Sequence, residues 1–246
     1  MNYTLLTFSP TGQSKACALA VAKATKQEFV EHDVTHFIQR EKSLALEDTT
    51  LIVSYPVHGG RVPALFSQYL TDRVSCTNCK ALAIASFGNR AFEDALVEME
   101  DILEEKGVPL IGAASIGCQH SYTGKVGSKR PDFEDFQVLD RLAVYLNGET
   151  GRVHPPGNRP YKQDLPVADP PYMPILKKGG KISPQCYAVC PTGSLSKEDP
   201  TICIHCCACI QFSNNDLYMD NPWFSDFTDF LEDTCQERVD SLLYLP

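Results

Sequence analysis

The 246-residue sequence lacks several features that would place it in a common functional class. It has no run of Lys and Arg, and its formal net charge is −9, so binding to nucleic acid or to an anionic membrane is not expected. No apolar stretch approaches the roughly 20 residues that span a bilayer, and no secretory signal peptide is recognisable. We therefore expect a cytoplasmic protein that binds neither nucleic acid nor membrane.

Two glycine-rich nucleotide-binding motifs are also missing. The absence of G-x4-G-K-[ST] argues against a nucleoside triphosphatase, and the absence of G-x-G-x-x-G argues against a dinucleotide-binding fold. The first predicted strand is followed instead by the segment 9–14, SPTGQS, which opens a helix. A hydroxyl-rich loop without a dedicated cation suits the phosphate of flavin mononucleotide (FMN). Ser and Thr beside Gly are also ordinary helix caps, so both interpretations stay open for this loop alone.

Cysteine, in contrast, is plentiful, and eleven residues of it make a full disulfide framework improbable by number. Cys203, Cys206 and Cys209 form a C-x2-C-x2-C run, and Cys190 ends a C-x3-C-P segment. Bacterial two-cluster ferredoxins carry the run C-x2-C-x2-C-x3-C-P twice, and the fourth cysteine of each run binds the cluster of the other. On that template Cys190, Cys203, Cys206 and Cys209 form a complete ligand set for one [4Fe–4S] cluster.

The second ligand set of the same template has lost most of its cysteines. Its four positions hold Gly180, Ser183, Cys186 and Ser213. We therefore predict one intact cluster site and one erased site. Cys186 is then left without partners, and Cys207, which lies between two ligands, is expected to be a buried small side chain.

The cysteine spacing leaves two alternatives to an iron–sulfur cluster open. Structural zinc usually takes two separated C-x2-C or C-x2-H pairs, which fits the spacing less well. An empty, decayed site is a second alternative. Cys76 and Cys79 form a further C-x2-C, but no other ligand is nearby in the sequence, so two unpaired loop thiols are expected. His205, between two ligands, is expected to face solvent or to donate to sulfur.

The first 146 residues alternate short apolar stretches with helical patterns, which predicts an α/β domain with a doubly wound five-stranded parallel sheet. The predicted strands are 3–8, 28–34, 51–54, 82–86 and 108–115. The predicted helices are 14–26, 64–71, 91–106 and 131–146.

The composition changes after this α/β domain, 1–146. Residues 147–178 are rich in Pro and Gly and predict a linker. Residues 179–215 form the small cysteine module. Residues 216–246 predict an amphipathic tail that packs on the domains, because apolar residues there recur at helical spacing.

Two further loops follow predicted strands at the same edge of the sheet as the SPTGQS loop. They are 55–63, YPVHGGRVP, and 86–92, SFGNRAF. Open parallel sheets bind ligands at the carboxyl ends of their strands. Tyr55 or Phe87 is expected to stack on a flat ring. Three glycines would let the backbone approach that ring: Gly59, Gly60 and Gly88.

Polar residues in these loops are candidates for tuning a flavin. Asn89 and Arg90 are expected near the pyrimidine end of the ring, where negative charge accumulates on reduction. His58 and His120 each lie in a loop at the flavin edge. Arg61 either does likewise or pairs with a carboxylate. Three acidic residues are expected on the solvated side of a helix: Asp94, Glu98 and Glu100.

Over almost its full length the chain resembles the iron–sulfur flavoproteins in which a flavodoxin is fused to a ferredoxin. The SPTGQS loop is similar to the flavodoxin phosphate loop, and YPVHGGRVP and SFGNRAFEDAL are similar to the second and third flavin loops of that family. The segment 119–122, QHSY, resembles its H-S loop, and 230–238 its usual ending. His58 and Phe87 stand where the family has tyrosines, and the family usually carries both clusters.

The resemblance implies a flavodoxin-like FMN domain followed by a ferredoxin-like module with one [4Fe–4S] cluster. It implies electron transfer between the two groups and a redox partner protein or a small-molecule acceptor. A flavin-dependent reductase of a quinone, nitro compound or disulfide is an alternative, as is a non-redox scaffold or sensor. The FMN-binding residues that it implies are Ser9, Thr11, Gly12, Gln13, Ser14, Pro56, Val57, His58, Gly59, Gly60, Ser86, Phe87, Gly88, Asn89, Arg90 and His120.

Overall fold

The backbone alternates strands and helices in its first 146 residues and then breaks into short elements. The computed structural model describes residues 2–146, 151–163 and 168–246, so 147–150 and 164–167 of the predicted linker lie outside the described residues. The strands are β1 (Asn2–Thr7), β2 (Phe29–Asp33), β3 (Leu44–Glu47), β4 (Thr49–Pro56), β5 (Val74–Thr77), β6 (Lys80–Phe87), β7 (Leu110–Gly117), β8 (Ile175–Leu176), β9 (Leu217–Tyr218) and β10 (Leu242–Tyr244). The helices are α1 (Gln13–Ala24), α2 (Phe37–Arg40), α3 (Ala64–Arg73), α4 (Ala95–Glu105), α5 (Phe133–Leu146), α6 (Pro184–Ala188), α7 (Ser194–Lys197), α8 (Ala208–Gln211) and α9 (Pro222–Thr234).

The main sheet has the order β10-β7-β6-β4-β1-β2. Five of its strands are parallel to one another, namely β2, β1, β4, β6 and β7. Numbered among themselves, these five strands run 2-1-3-4-5, which is the flavodoxin-like doubly wound order. The predicted α/β class is therefore confirmed. The strand order reverses between β1 and β4, and ligands of such sheets bind outside the carboxyl ends of the strands at this point.

The sheet has a sixth strand that the sequence did not predict. β10 pairs antiparallel with β7, with Leu242 opposite Ser115 and Tyr244 opposite Ala113. The prediction of five strands was wrong because three residues are too few to show a strand period. β10 covers the edge of β7, which would otherwise present unpaired backbone groups.

The two faces of the sheet bury separate apolar clusters. Alternate residues of β4 point to opposite faces, so Val53 and Tyr55 pack with α3 and α4, whereas Ile52 packs with α1 and α5. All of these side chains are fully buried. Burial of each large apolar side chain stabilises the fold by about 1.5–3 kcal/mol, which fixes the strand register and thus the loops at the strand ends.

Smaller elements complete the structure. β3 and β5 form a parallel pair, and β8 and β9 form an antiparallel pair that joins the chain just before the cysteine module to the chain just after it. Helix α9 begins at Asn221, whose side chain accepts a hydrogen bond from the Phe224 amide at 3.2 Å, and Pro222 occupies its first turn. None of the helices in the described part of the chain is both long and apolar enough to cross a bilayer.

Candidate functional site

The loops after β1, β4 and β6 meet at the carboxyl edge of the sheet. The hydroxyl groups of Ser14 and Ser86 lie 2.6 Å apart, and Ser54 Oγ donates to the Ser14 carbonyl at 2.8 Å. The Val57 amide donates to the Ser86 carbonyl at 2.8 Å. The structure therefore brings together the three loops that the sequence placed at one site.

The loop after β1 is shaped for an anion. Gly12 has φ 86°, which only glycine adopts readily, and its amide donates to the Ser9 carbonyl at 3.1 Å. Ser9 Oγ accepts from the Lys15 amide at 3.0 Å. The amides of Gln13 and Ser14 belong to the first turn of α1, where helix donors have no partner within the helix. These donors are the part of the loop that suits a phosphate.

Two polar side chains at the start of α1 have partners outside this loop. The Ser14 side chain is buried and bonds to Ser86, so its amide rather than its hydroxyl faces the loop. The Lys15 ammonium turns to Glu31 and to Asp33, the latter at 3.2 Å, and these carboxylates raise the pKa of Lys15. Lys15 therefore does not supply a positive charge to the loop.

The loop after β4 is a tight hairpin. The backbones of His58 and Arg61 exchange two hydrogen bonds of 3.0 Å, and Gly59 and Gly60 both have positive φ, as a type I′ turn requires. Arg61 is part of the scaffold, because its guanidinium binds Glu98 at 2.7 and 2.9 Å.

The glycines of these loops do not expose free backbone. A Cβ on Gly60 would lie 1.8 Å from a carboxylate oxygen of Glu93, and a Cβ on Gly88 would lie 2.4 Å from the His120 ring. The space directly over both glycines is therefore filled by protein side chains. A flat ligand at this edge would contact Glu93 and His120 rather than the glycine backbone, which corrects the expectation for Gly60 and Gly88.

The expected stacking partners are also unavailable. Tyr55 is fully buried and its hydroxyl donates to the Ala95 carbonyl at 2.9 Å. Phe87 is 1% exposed and packs against Phe92 with ring centroids 5.9 Å apart. The prediction that either ring stacks on a ligand was wrong, because both side chains point into the core under α4.

Asn89 has a structural role that the sequence did not predict. Its side-chain amide donates to the carbonyls of Cys235 and Glu237, each at 2.9 Å, and its side-chain oxygen accepts from Arg130 at 2.6 Å and from the Val239 amide at 3.2 Å. The side chain is 1% exposed and fully engaged, so its predicted contact with the pyrimidine end of a flavin was wrong. Asn89 instead ties the third loop to the segment before β10.

A buried ion pair extends this connection. Arg130 binds Asp135 through two hydrogen bonds of 3.0 and 2.5 Å and donates to the Val239 carbonyl at 2.7 Å. Ser241 Oγ donates to Asp135 at 2.5 Å. Nothing local in the sequence shows that Asp135 has these partners.

The acidic residues of α4 also differ from the expectation. Asp94, Glu98 and Glu100 are each less than a tenth exposed, so they do not form a solvated face. Asp94 accepts from the amides of Asn158 at 2.8 Å and Lys162 at 2.6 Å. Glu100 pairs with His154 and Arg159, so Asp94 and Glu100 hold the segment 153–162 against α4, and only the fold brings the two together.

His58 and His120 lie near each other at the same edge. Burial lowers the pKa of each to about 4, and for His120 the neighbouring Arg90 and His58 contribute to that shift. His120 Nδ1 accepts a hydrogen bond from the Tyr122 amide at 3.1 Å. The rings of His120 and Tyr122 make an edge-to-face contact, with centroids 5.1 Å apart. Both imidazoles are therefore neutral near pH 7.

The cysteine module places four predicted ligands in one group. Burial raises the pKa of Cys206, and the thiols of Cys209, Cys203 and Cys190 raise it further. Burial likewise raises the pKa of Cys209 to about 12, again with Cys190 and Cys203 as neighbours. The four thiols are therefore neighbours, with Cys190 and Cys209 buried and Cys203 and Cys206 half-buried.

Backbone amides point at three of these sulfurs. The amides of His205, Ala208 and Ile210 donate to the sulfurs of Cys203, Cys206 and Cys209, which opposes the rise in each thiol pKa. The left-handed backbone of His205 and Cys207, with φ of 52° and 57°, turns the chain between these sulfurs. Donors of this kind stabilise sulfur that carries negative charge. In the described ranges, no three or more His, Cys, Asp or Glu side chains are arranged to hold a single metal ion.

The erased half of the module is closed by its own side chains. Cys186 is fully buried and its sulfur donates to the Phe212 carbonyl at 3.4 Å, as does the Ser183 hydroxyl. Ser213 is buried as well, accepts from the Leu217 amide at 3.1 Å and donates to the Ile210 carbonyl at 2.8 Å.

The intact half docks on the α/β domain. Arg40, after β2, donates to the Pro191 carbonyl at 2.6 Å, and Gln211 donates to the Ser121 carbonyl at 3.4 Å. Ile204 packs against the apolar cluster beneath α3 and α4. Tyr122 lies between the two parts, because it contacts His120 and its pKa is raised by burial and by Cys207 and other module thiols.

Comparison with known proteins gives only distant similarity. No family model and no curated protein matches the sequence. Among solved structures, a flavodoxin of Streptococcus pneumonia TIGR4 is 16% identical, covering 60% of this chain and 98% of its own, with a TM-score of 0.42. The rubredoxin oxygen:oxidoreductase of Desulfovibrio gigas is 13% identical over 58% of this chain and has a TM-score of 0.42. This chain spans about a third of that oxidoreductase, 34%.

Proposed function

We propose that this protein is an electron-transfer iron–sulfur flavoprotein with one FMN and one [4Fe–4S] cluster, akin to the flavodoxin–ferredoxin fusions that its motifs resemble. The observation that carries the proposal is the four-cysteine group with amide donors, docked beside the edge where three loops meet. The redox partner is a protein or small-molecule acceptor. A cytoplasmic location fits the eleven free cysteines.

The residues at the sheet edge fit FMN at its phosphate end. The amides of Gln13 and Ser14 and the half-buried Thr11 would hold the phosphate at the start of α1. At the ring end, Arg90 and the neutral His120 would border the flavin. The buried positions of Phe87 and Asn89 make their contribution indirect, through the shape of the third loop.

The cysteine group fits a cubane cluster better than a single ion. Three C-x2-C spacings in one loop with a distant C-P suit a cubane, whose four ligands bind different irons, better than the two separated pairs that are usual for structural zinc. Cys190, Cys203, Cys206 and Cys209 would hold the cluster. Its positive irons would keep the four thiols deprotonated despite their burial.

The two groups together would supply conversion between electron pairs and single electrons, since a flavin carries one or two electrons and the cluster one. The chain contributes the spacing and the exclusion of water. Tyr122 fills the space between His120 and the cysteine loop, and Ile204 seals the loop against the core.

The test is the composition of anaerobically purified protein, measured as iron, acid-labile sulfide, zinc and released FMN per chain. We expect about four iron, four sulfide and one FMN, as one cubane and one flavin require. Zinc or no metal would contradict the cluster, and absent FMN would contradict the flavin site. About eight iron would contradict the erased second site.

A further inference from the structure

Helix α9 carries an uncovered aromatic stripe next to the cysteine module. Trp223 and Phe230 are 46% and 49% exposed, although they are among the largest apolar side chains. Phe227 lies between them and stacks on both, with ring centroids 5.2 and 5.9 Å away. The spacing i, i+4, i+7 places the three rings on one side of the helix.

Other residues attach α9 to the rest of the protein. Leu231 is fully buried, and Phe224 contacts Tyr122 at 4.5 Å. Lys125 pairs with Glu232 at 2.5 Å on a third side of the helix. The exposure of Trp223 and Phe230 is therefore not required to fix the helix in place.

A stripe of carboxylates borders the aromatic stripe. Asp226, Asp229 and Asp233 follow the spacing i, i+3, i+7, are exposed, and point away from the anchored side. Helix α9 contains no Lys or Arg. No ion pair to these three carboxylates is present in the part of the chain that the structure describes. Three exposed carboxylates thus flank three stacked rings, and only Asp229 has a cation, Lys125, near enough to interact with it among the described residues.

The position of this surface connects it to the proposed redox centre. Phe224 and Phe227 both contact Tyr122, with ring centroids 4.5 and 6.1 Å away. Tyr122 in turn neighbours Cys206 and Cys207. One aromatic side chain therefore separates α9 from the cysteine loop.

We propose that the Trp223–Phe227–Phe230 stripe, with Asp226, Asp229 and Asp233 beside it, is the docking surface for a basic redox partner protein. The partner would present an apolar patch bordered by Lys and Arg. Aromatic residues are enriched at protein interfaces, and complementary charges at the rim steer association. That this partner exchanges electrons rests on the proposed function.

The binding test uses cytochrome c as the probe, since it is a basic protein with an exposed haem edge. Trp223 is the single tryptophan of the chain, so quenching of its fluorescence reports binding at this surface without any electron transfer. We expect saturable quenching that weakens as salt is added. The D226N/D229N/D233N variant should bind about tenfold more weakly. The F230A variant should lose affinity while keeping the salt dependence.

The matched control is E47Q/D72N/E105Q, which removes the same charge from exposed carboxylates at the far edge of the sheet. We expect it to bind like the wild type. Equal weakening by both triple variants would show that only net charge matters and would overturn the proposal, as would absence of saturable binding by the wild type. A wild-type dimer in sedimentation that F230A converts to monomer would overturn it in favour of a second copy on this face.

The electron-transfer role is tested separately. The reduced wild type and the α9 variants are mixed with cytochrome c and, in parallel, with ferricyanide, a small acceptor that needs no docking surface. Slower reduction of cytochrome c alone by the variants supports the proposal. Unchanged rates with cytochrome c overturn its redox part. If the wild type reduces neither acceptor but still binds cytochrome c, the proposed function fails and the docking surface stands.

Discussion

The two halves of the cysteine module occupy equivalent places in the ferredoxin pattern but are stabilised by different means. In the intact half, the amides of His205, Ala208 and Ile210 point at sulfur, and the thiols are neighbours. In the erased half, Ser183 and Cys186 point at a backbone carbonyl instead. The comparison teaches that the half without the cysteine pattern satisfies its polar side chains with its own backbone, so it holds together through its own contacts.

The largest expected effect is on metal content, which should fall in a variant of the intact half and stay unchanged in a variant of the erased half. The Cys206→Ser variant should lose most of its iron and sulfide, because one of the four predicted thiolate ligands is removed. The Cys186→Ser variant should keep both. Iron and sulfide per chain are measured after anaerobic purification, with FMN as the check that the α/β domain is intact. Equal iron loss in the two variants would contradict the assignment of the halves.

The second-largest effect is expected from low pH, which lowers the free energy of unfolding by protonating His58 and His120. Burial lowers the folded-state pKa of His58 and His120 to about 4, below the usual 6.5, so the unfolded state binds more protons between these values. The free energy of unfolding is therefore unaffected above pH 6.5 and falls as pH drops toward 4, by about 1.4 kcal/mol per pH unit for each histidine.

Urea unfolding at several pH values measures this slope. The His120→Gln variant should reduce it by less than half, because His58 still contributes and burial lowers the pKa of His205 as well. The His32→Gln variant, on the edge strand β2, serves as the control and should leave it unchanged. A slope that is the same in all three proteins would show that other groups are responsible.

A smaller effect is expected from a substitution that destabilises the erased half of the module and leaves the intact half unchanged. The Ser213→Ala variant leaves the buried Leu217 amide without an acceptor, which costs about 1–3 kcal/mol. The exposed Ser196, in the intact half, bonds only to the Gly193 carbonyl, and its Ala variant should cost less than about 0.5 kcal/mol. Denaturant midpoints of the two variants give the comparison, and iron content should be normal in both.

The smallest effect concerns the attachment of the intact half. The Arg40→Ala variant removes the 2.6 Å hydrogen bond to the Pro191 carbonyl, next to Cys190, and should weaken docking by about 1–2 kcal/mol. Hydrogen exchange should then speed up at 190–196 but not at 180–186. The exposed Arg73→Ala serves as the control. Faster exchange throughout the module would mean that the halves are not independent.

The fold and the ligand spacing could be predicted because both are written in short-range patterns. The short apolar run of β4 and the C-x2-C spacing at Cys203–Cys209 are visible in any window of ten residues. Asn89, Asp94 and Glu98 were misassigned because their partners lie tens of residues away or more. A polar side chain in a loop gives no local sign of whether it faces solvent or a distant backbone.

The Asn89 contacts have a consequence for the order of synthesis. Asn89 and its partner Val239 are 150 residues apart in sequence. At the usual 5–20 residues per second, roughly 10 to 30 seconds pass between their translation. During that interval the third loop at the ligand-binding edge has no partner for the Asn89 side chain, and β7 remains an open edge. A nascent chain can therefore complete its cysteine module before it completes its flavodoxin-like domain.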